Sequence, residues 1–157
     1  MKKLFKKIFE KKSDPNFEFK KSYSQDGEDM LLSAFFDDMG GRNKGFFIDI
    51  GALHPFRFSN TAHFYEKGWN GINIEPTPDA MALFEKHRKR DINLNIGIGE
   101  TRDELTFYCF YEPALNSFSK ELSEERDRTT NFKIRETKQI QIFPLSEVLD
   151  RHLEEGQ

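Results

Sequence analysis

FFIDIGALHP, residues 46–55, is the stretch whose reading decides the fold. Phe46, Phe47, Ile48 and Ile50 form a short apolar run bounded by Gly45 and Gly51, which suits a β-strand buried on both faces, as in a parallel sheet. The run ends on Asp49, one intervening residue and Gly51. A ligand held at the carboxyl end of such a strand needs close approach of backbone, and a residue without Cβ permits it.

Working downstream, Ser59 or Asn60 is expected to cap a helix over 59–67, which Gly68 stops. GINIE at 71–75 reads as a second buried strand, ended by Pro76. A helix over 78–90 follows, its apolar face drawn from Met81, Leu83 and Phe84, with Lys86, Arg88, Lys89 and Arg90 near its C-terminus, where cations interact favourably with the helix dipole. INLNIGI at 92–98 is a third strand. Alternating strands and helices predict an α/β fold with a parallel sheet and right-handed crossovers. Beyond it, ELTFYCFY (104–111) and TKQIQIF (137–143) read as added antiparallel or edge strands. KELSEERDR (120–128) reads as a solvated helix or loop. A last helix over 144–153 carries Leu145, Val148, Leu149 and Leu153 on one face.

Upstream, SYSQDGEDM (22–30) is a polar loop leading into a helix that ends at Gly40 and Gly41, with Met30, Leu31, Ala34 and Phe35 on its apolar face. Residues 1–21 form a separate basic segment: eight lysines against three acids give +5, leaving −8 for the remainder of a chain whose net charge is −3. Leu4, Phe5, Ile8 and Phe9 share a helical face among lysines, which suits either peripheral contact with an anionic membrane or a docked terminal helix. No stretch reaches membrane-spanning length. The acidic balance argues against general nucleic-acid binding. One cysteine, Cys109, excludes an internal disulfide, no Cys/His cluster has zinc spacing, and a reducing cytoplasm is the expected compartment.

Glu75 stands 26 residues after Asp49, at the tip of the second strand. An acid there can accept hydrogen bonds from both hydroxyls of a ribose, although Asp49 and Glu75 could each also be a structural acid or a helix cap. The glycines that would admit a pyrophosphate are missing after Gly51, where Leu53 and His54 follow, so a nucleoside cofactor without phosphates fits better. S-adenosylmethionine is such a ligand. Its ribose would face Glu75, its amino acid moiety Asp49 and Gly51, and its adenine the 95–97 segment. A histidine titrates near neutral pH, which makes His54 the candidate base for an acceptor hydroxyl, but a histidine beside proline in a turn is more often a hydrogen-bonded loop residue. LNSFS (115–119) lines an acceptor pocket or is a polar turn.

SYSQDGEDM, GFFIDIGALHPFRFSNT, FYEKGWNGINIEP and DINLNIGIG, in that order, closely resemble the FkbM-type methyltransferases. The likeness covers residues 22–119. It implies a Rossmann-like class I methyltransferase sheet, S-adenosylmethionine as cofactor, and a hydroxyl of a sugar or related metabolite as acceptor. It also implies cofactor contacts at Asp49, Gly51, Glu75 and Asn95, with Gln25 close by and with His54 and Asn60 facing donor or acceptor. The expected cofactor-binding set is Gln25, Asp49, Gly51, Ala52, Glu75, Pro76, Asn95 and Gly97, within a domain over 22–157. The resemblance further implies a strand with a D-x-E-G motif after Leu153, which this sequence lacks. The sheet is therefore expected to be incomplete, its first strand open to self-association along an unpaired edge. A non-catalytic S-adenosylmethionine- or nucleotide-binding fragment of a larger protein is the alternative function.

Overall fold

The computed structural model describes residues 20–38 and 44–153. The amphipathic helix expected around residues 4–9 and the stop at Gly40 and Gly41 lie outside them.

Three parallel strands, β1 (Phe46–Ile50), β2 (Asn70–Ile74) and β3 (Ile92–Leu94), form one sheet in the order β1-β2-β3. Phe46 to Ile50 face Asn70 to Ile74 one to one, and Ile72 faces Ile92. The β1–β2 contact demands glycine at 71, where a Cβ would lie 2.1 Å from the Phe47 carbonyl oxygen. Helix α1 (Glu28–Asp38) precedes the sheet. Helices α2 (Ala62–Glu66) and α3 (Ala80–His87) make the two crossovers. A second sheet, in the order β4-β6-β5, comprises β4 (Gly97–Gly99), β5 (Asp103–Phe110) and β6 (Ile134–Pro144). There β4 runs parallel and β5 antiparallel to β6. A 3-10 turn (Pro113–Leu115) and α4 (Lys120–Thr129) connect β5 to β6, and α5 (Leu145–His152) follows β6.

The apolar stripe on α5 joins the two sheets. Val148 is buried with Ile72 and Ile74, while Leu145, Leu149 and Leu153 pack around them together with Leu94, Ile98 and Phe143. At about 1.5–3 kcal/mol for each fully buried aliphatic side chain, this cluster anchors the eight-residue helix that its own backbone could not sustain. Among the described residues no strand pairs with the outer edge of β1. Ile48 and Ile50 stand 40% and 50% exposed beyond the reach of α5.

Several expectations are corrected. The third strand does not run to Ile98: it ends at Leu94, and Gly97–Gly99 pairs instead with Ile142 to Pro144 of β6. The break falls at Asn95, whose Nδ2 donates to the carbonyls of Glu75 (2.7 Å) and Thr77 (3.1 Å). The helix expected from 59 begins at Ala62, although the Ser59 hydroxyl still accepts from Ala62 N. The helix expected over 78–90 spans Ala80–His87, and Arg88, expected among the cations of its last turn, follows it and is fully buried. In α1 the apolar face lies outward, with Leu31 and Phe35 exposed. Asp29, Ser33 and Phe36, at spacings of four and three, face the body, where the Phe36 ring meets Phe64 and Trp69.

Candidate functional site

The carboxyl ends of β1 and β2 open into a cleft of about 660 Å³. Gly51, Glu75 and Pro76 form its floor, Gln25, Leu53 and Phe58 one wall, and Phe107 with residues 116–119 the other. That volume suits a small-molecule site. A smaller cavity of about 190 Å³ adjoins it, sharing Gly51, Pro76 and Phe118 and adding Gly97 and Ile98.

Each strand tip is built for closeness. Gly51 N and Ala52 N both donate to the Ile74 carbonyl (2.9 and 3.1 Å), which ties the β1 turn to β2. Gly51 has φ of +77°, and a Cβ there would meet nothing within 4 Å, so its bare backbone borders open space. Glu75 is buried, yet reaches the cleft: Oε2 accepts from Leu53 N and Oε1 from Thr77 N, both at 2.7 Å. An ionised carboxylate offers about four lone-pair directions, so each oxygen retains one for an incoming hydroxyl. Leu53 and Phe58 hold positive φ values of 54° and 57°, conformations that cost non-glycine residues about 1–3 kcal/mol and cluster at ligand sites.

The flanking walls are braced separately. Asp29 accepts from the Ser22 and Ser24 hydroxyls (2.7 and 2.8 Å) and from Tyr23 N (2.7 Å), folding the loop that carries Gln25 to the cleft. Burial pushes the Asp29 carboxyl upward, but these donors outweigh it and hold it below the usual carboxylate range. Tyr23 O receives Ser59 N (3.1 Å). Opposite, Asn116 accepts from Phe110 N (2.7 Å) and donates to Thr77 Oγ1 (2.9 Å). Ser117 bridges antiparallel to Tyr108. The Arg57–Glu112 ion pair (2.8 Å) links the two rims.

A family model described as the methyltransferase FkbM domain matches residues 49–157. The chain belongs to this family. No curated protein and no solved structure matches it. The FkbM match starts at Asp49 and runs through β6 and α5, so it extends beyond the motifs at its C-terminal side and omits SYSQDGEDM.

Within the FkbM domain, Gly51, Glu75 and Pro76, joined by Gln25 from the preceding loop, converge on the cleft, and Gly97 lines the adjoining cavity. Ala52 is buried just below Gly51. Asn95 is outside both linings and ties down the 75–77 backbone instead. Asn60 is exposed and off the cleft. His54 is also off the lining, and its Nδ1 accepts from Phe56 N (3.1 Å) and Arg57 N (3.0 Å). Burial first, then the positive fields of Arg57 and His87, lower its pKa. A proton taken from an acceptor at Nδ1 would have to displace those two donors, which brace the loop after β1.

Asp49, in β1 two residues before Gly51, is outside both linings. Its Oδ2 accepts from Thr61 Oγ1 at 2.7 Å, and among the described residues Oδ1 receives no donor. Burial raises the carboxyl above its ordinary value, while the Thr61 hydroxyl and the Arg88 charge oppose that rise. Leu53, Phe58, Phe107, Pro113 and Ala114 are cleft residues that sequence reading missed. The LNSFS segment supplied the one usable signal, and four of its residues line the wall.

Proposed function

We propose that this FkbM-family methyltransferase binds S-adenosylmethionine across the β1 and β2 tips and methylates a hydroxyl of a saccharide or related metabolite. The observation that carries the reading is Glu75: a buried carboxylate at a strand tip, fixed by two backbone N–H donors, with acceptor capacity left toward a cleft floored by Gly51. The donor set fits the cofactor. Glu75 would take the ribose hydroxyls and Asp49 the ammonium of the amino acid moiety, while Gly97 and Phe118 leave an apolar slot for adenine. On this reading the first sheet is the β1–β3 half of a Rossmann-like methyltransferase sheet. S-adenosylmethionine supplies an electrophilic methyl group on a sulfonium.

The chain's own contribution is orientation. Gln25, Asn116, Ser117 and Ser119 offer hydrogen bonds, and Phe58, Phe107 and Phe118 offer apolar faces, as a ring bearing hydroxyls requires. Among the described residues Glu75 is the one ionisable side chain in this lining, and it is engaged. Holding the acceptor oxygen in line with the methyl group is therefore the main catalytic device, and such alignment alone can lower a barrier by several kcal/mol.

The second reading, a cofactor-binding chain without turnover, is favoured by one observation: among the described residues no histidine, lysine or cysteine is in the lining to receive the acceptor proton. Titration calorimetry with S-adenosylmethionine, followed by a methyl-release assay over a panel of hydroxylated acceptors, separates the readings. Micromolar binding with release supports transfer, binding without release supports the second reading, and absence of binding overturns both.

A further inference from the structure

Beneath the cofactor cleft lies a buried polar chain that no step above uses. Arg88, fully buried, donates through Nε to Asp91 Oδ2 (2.8 Å), through Nη1 to the Pro55 carbonyl (3.2 Å) and through Nη2 to Thr61 Oγ1 (3.1 Å). Its guanidinium carbon lies over the Phe47 and Tyr65 rings, with centroids 5.2 and 4.6 Å away. Asp91 in turn accepts from Gly71 N and Asn73 Nδ2. The guanidinium is thus anchored to β2, to the loop after β1 and to the N-terminus of α2 at once.

The consequence runs through one proton. A threonine hydroxyl has a single hydrogen and two acceptor lobes. With an Arg88 N–H directed at Oγ1, the Thr61 hydrogen is left to point at Asp49 Oδ2, where the 2.7 Å bond is found. That bond holds one Asp49 oxygen, and the other stays without a donor among the described residues.

We propose that Thr61, oriented by Arg88, is a positioning residue that keeps the Asp49 carboxylate ionised and aimed at the cofactor's ammonium group. The inference rests on the cofactor reading above. The charges acting on Asp49 are Arg88, which favours its ionised form, and Glu75 and Asp91, which oppose it, with desolvation the largest opposing effect. Removing the hydroxyl leaves the burial and both neighbouring acids in place. The carboxyl then titrates at higher pH, and cofactor affinity begins to fall at a higher pH as the solution is acidified.

The test is calorimetric binding of S-adenosylmethionine to the full chain from pH 4.5 to 8. In the wild type, affinity falls on the acid side, and Asp49→Asn removes that acid limb, which assigns it to Asp49. Thr61→Val moves the limb up by about one pH unit, the size of one lost hydrogen bond to a carboxylate, while Thr61→Ser restores the wild-type profile. Thr61→Ala carries the same expectation should valine disturb folding, and thermal melts establish which variants are folded. Against Asp49→Asn, the loss of the Thr61 hydroxyl has no further effect on affinity. A folded Thr61 variant with the acid limb unmoved, or an equal loss of affinity at every pH, overturns the proposal and leaves Thr61 a structural residue. A wild type that binds no S-adenosylmethionine at any pH overturns the cofactor reading itself, so the two failures are distinct.

Discussion

Glu75→Gln separates the ribose-binding role of this residue from its role in the loop. The substitution keeps shape and removes one acceptor atom. In the structure both carboxylate oxygens already receive a backbone donor, Leu53 N on one and Thr77 N on the other. An amide satisfies one of them with its oxygen and turns an NH2 toward the other, setting donor against donor. A buried donor left unpaired costs about 1–3 kcal/mol, which is the expected loss of folding stability. Binding suffers separately, because one of two hydroxyl contacts disappears and the other is no longer to a charged acceptor. Hydrogen bonds to charged groups contribute about 1.5–3 kcal/mol, so Kd for S-adenosylmethionine rises roughly 10- to 150-fold. Calorimetry at a temperature well below the midpoint of thermal unfolding reads the affinity, and a thermal melt reads the stability. A folded variant that binds within threefold of wild type refutes the assignment of Glu75 to the ribose.

Gly51→Ala adds a methyl group that meets nothing in the protein but enters the cleft at a φ of +77°. Stability falls by about 1–2 kcal/mol from the left-handed backbone, while cofactor affinity falls at least tenfold; calorimetry showing a stability loss alone counts against the cleft floor. Gly71→Ala forces a Cβ to within 2.1 Å of the Phe47 carbonyl oxygen, so β1 and β2 must part. Denaturant unfolding registers a loss of about 3 kcal/mol, and a loss under 1 kcal/mol contradicts the register. For His54, whose folded pKa is lowered by burial, the unfolded chain binds the proton first as pH falls. Its contribution to stability is therefore present above the unfolded value near 6.5 and is lost as pH drops from about 7 toward 5. His54→Gln flattens that part of the stability–pH curve in chemical denaturation series, and an unchanged curve removes His54 as its source.

The parts of this molecule legible in the sequence are those set by neighbours along the chain. Phe46–Ile50 is a strand because an apolar run between glycines has few alternatives, and Asp49, Gly51 and Glu75 fall near its tip and that of β2 through strand length alone. The apolar face of α5 was legible for the same reason, since Leu145, Val148, Leu149 and Leu153 meet at helical spacing. Features decided by distant residues were not. Asn95 is apolar-flanked like any strand position, and its side chain ends β3 through carbonyls 18 and 20 residues earlier. Arg88 sits among three other basic residues, and nothing local marks it as the one taken inside. In α1 the residues that meet the body are an acid, a serine and one phenylalanine, which inverts the hydrophobic rule because Asp29 organises a loop rather than a core. The positive φ at Leu53 and Phe58 has no propensity signal at all.

That pattern bears on how the site is held. A parallel sheet covered on both faces is ordinarily lined with aliphatic residues, yet one row across β1, β2 and β3 reads Asp49, Asn73, Asn93. Asn73 Nδ2 donates to Asn93 and Asp91, and its buried Oδ1 has no partner among the described residues. The same face buries the Arg88–Asp91 pair completely. Buried ion pairs of this kind seldom stabilise a fold beyond what well-packed apolar side chains of equal volume would provide. Stability alone therefore gives little reason for this row to be polar. Its position does: the row ends at Asp49, two residues before Gly51, and Asp49 is joined to Asn73 through Thr61, Arg88 and Asp91. The polar chain ties β2 and the end of α3 to the Asp49 carboxylate through Thr61, a link that an aliphatic row would lack.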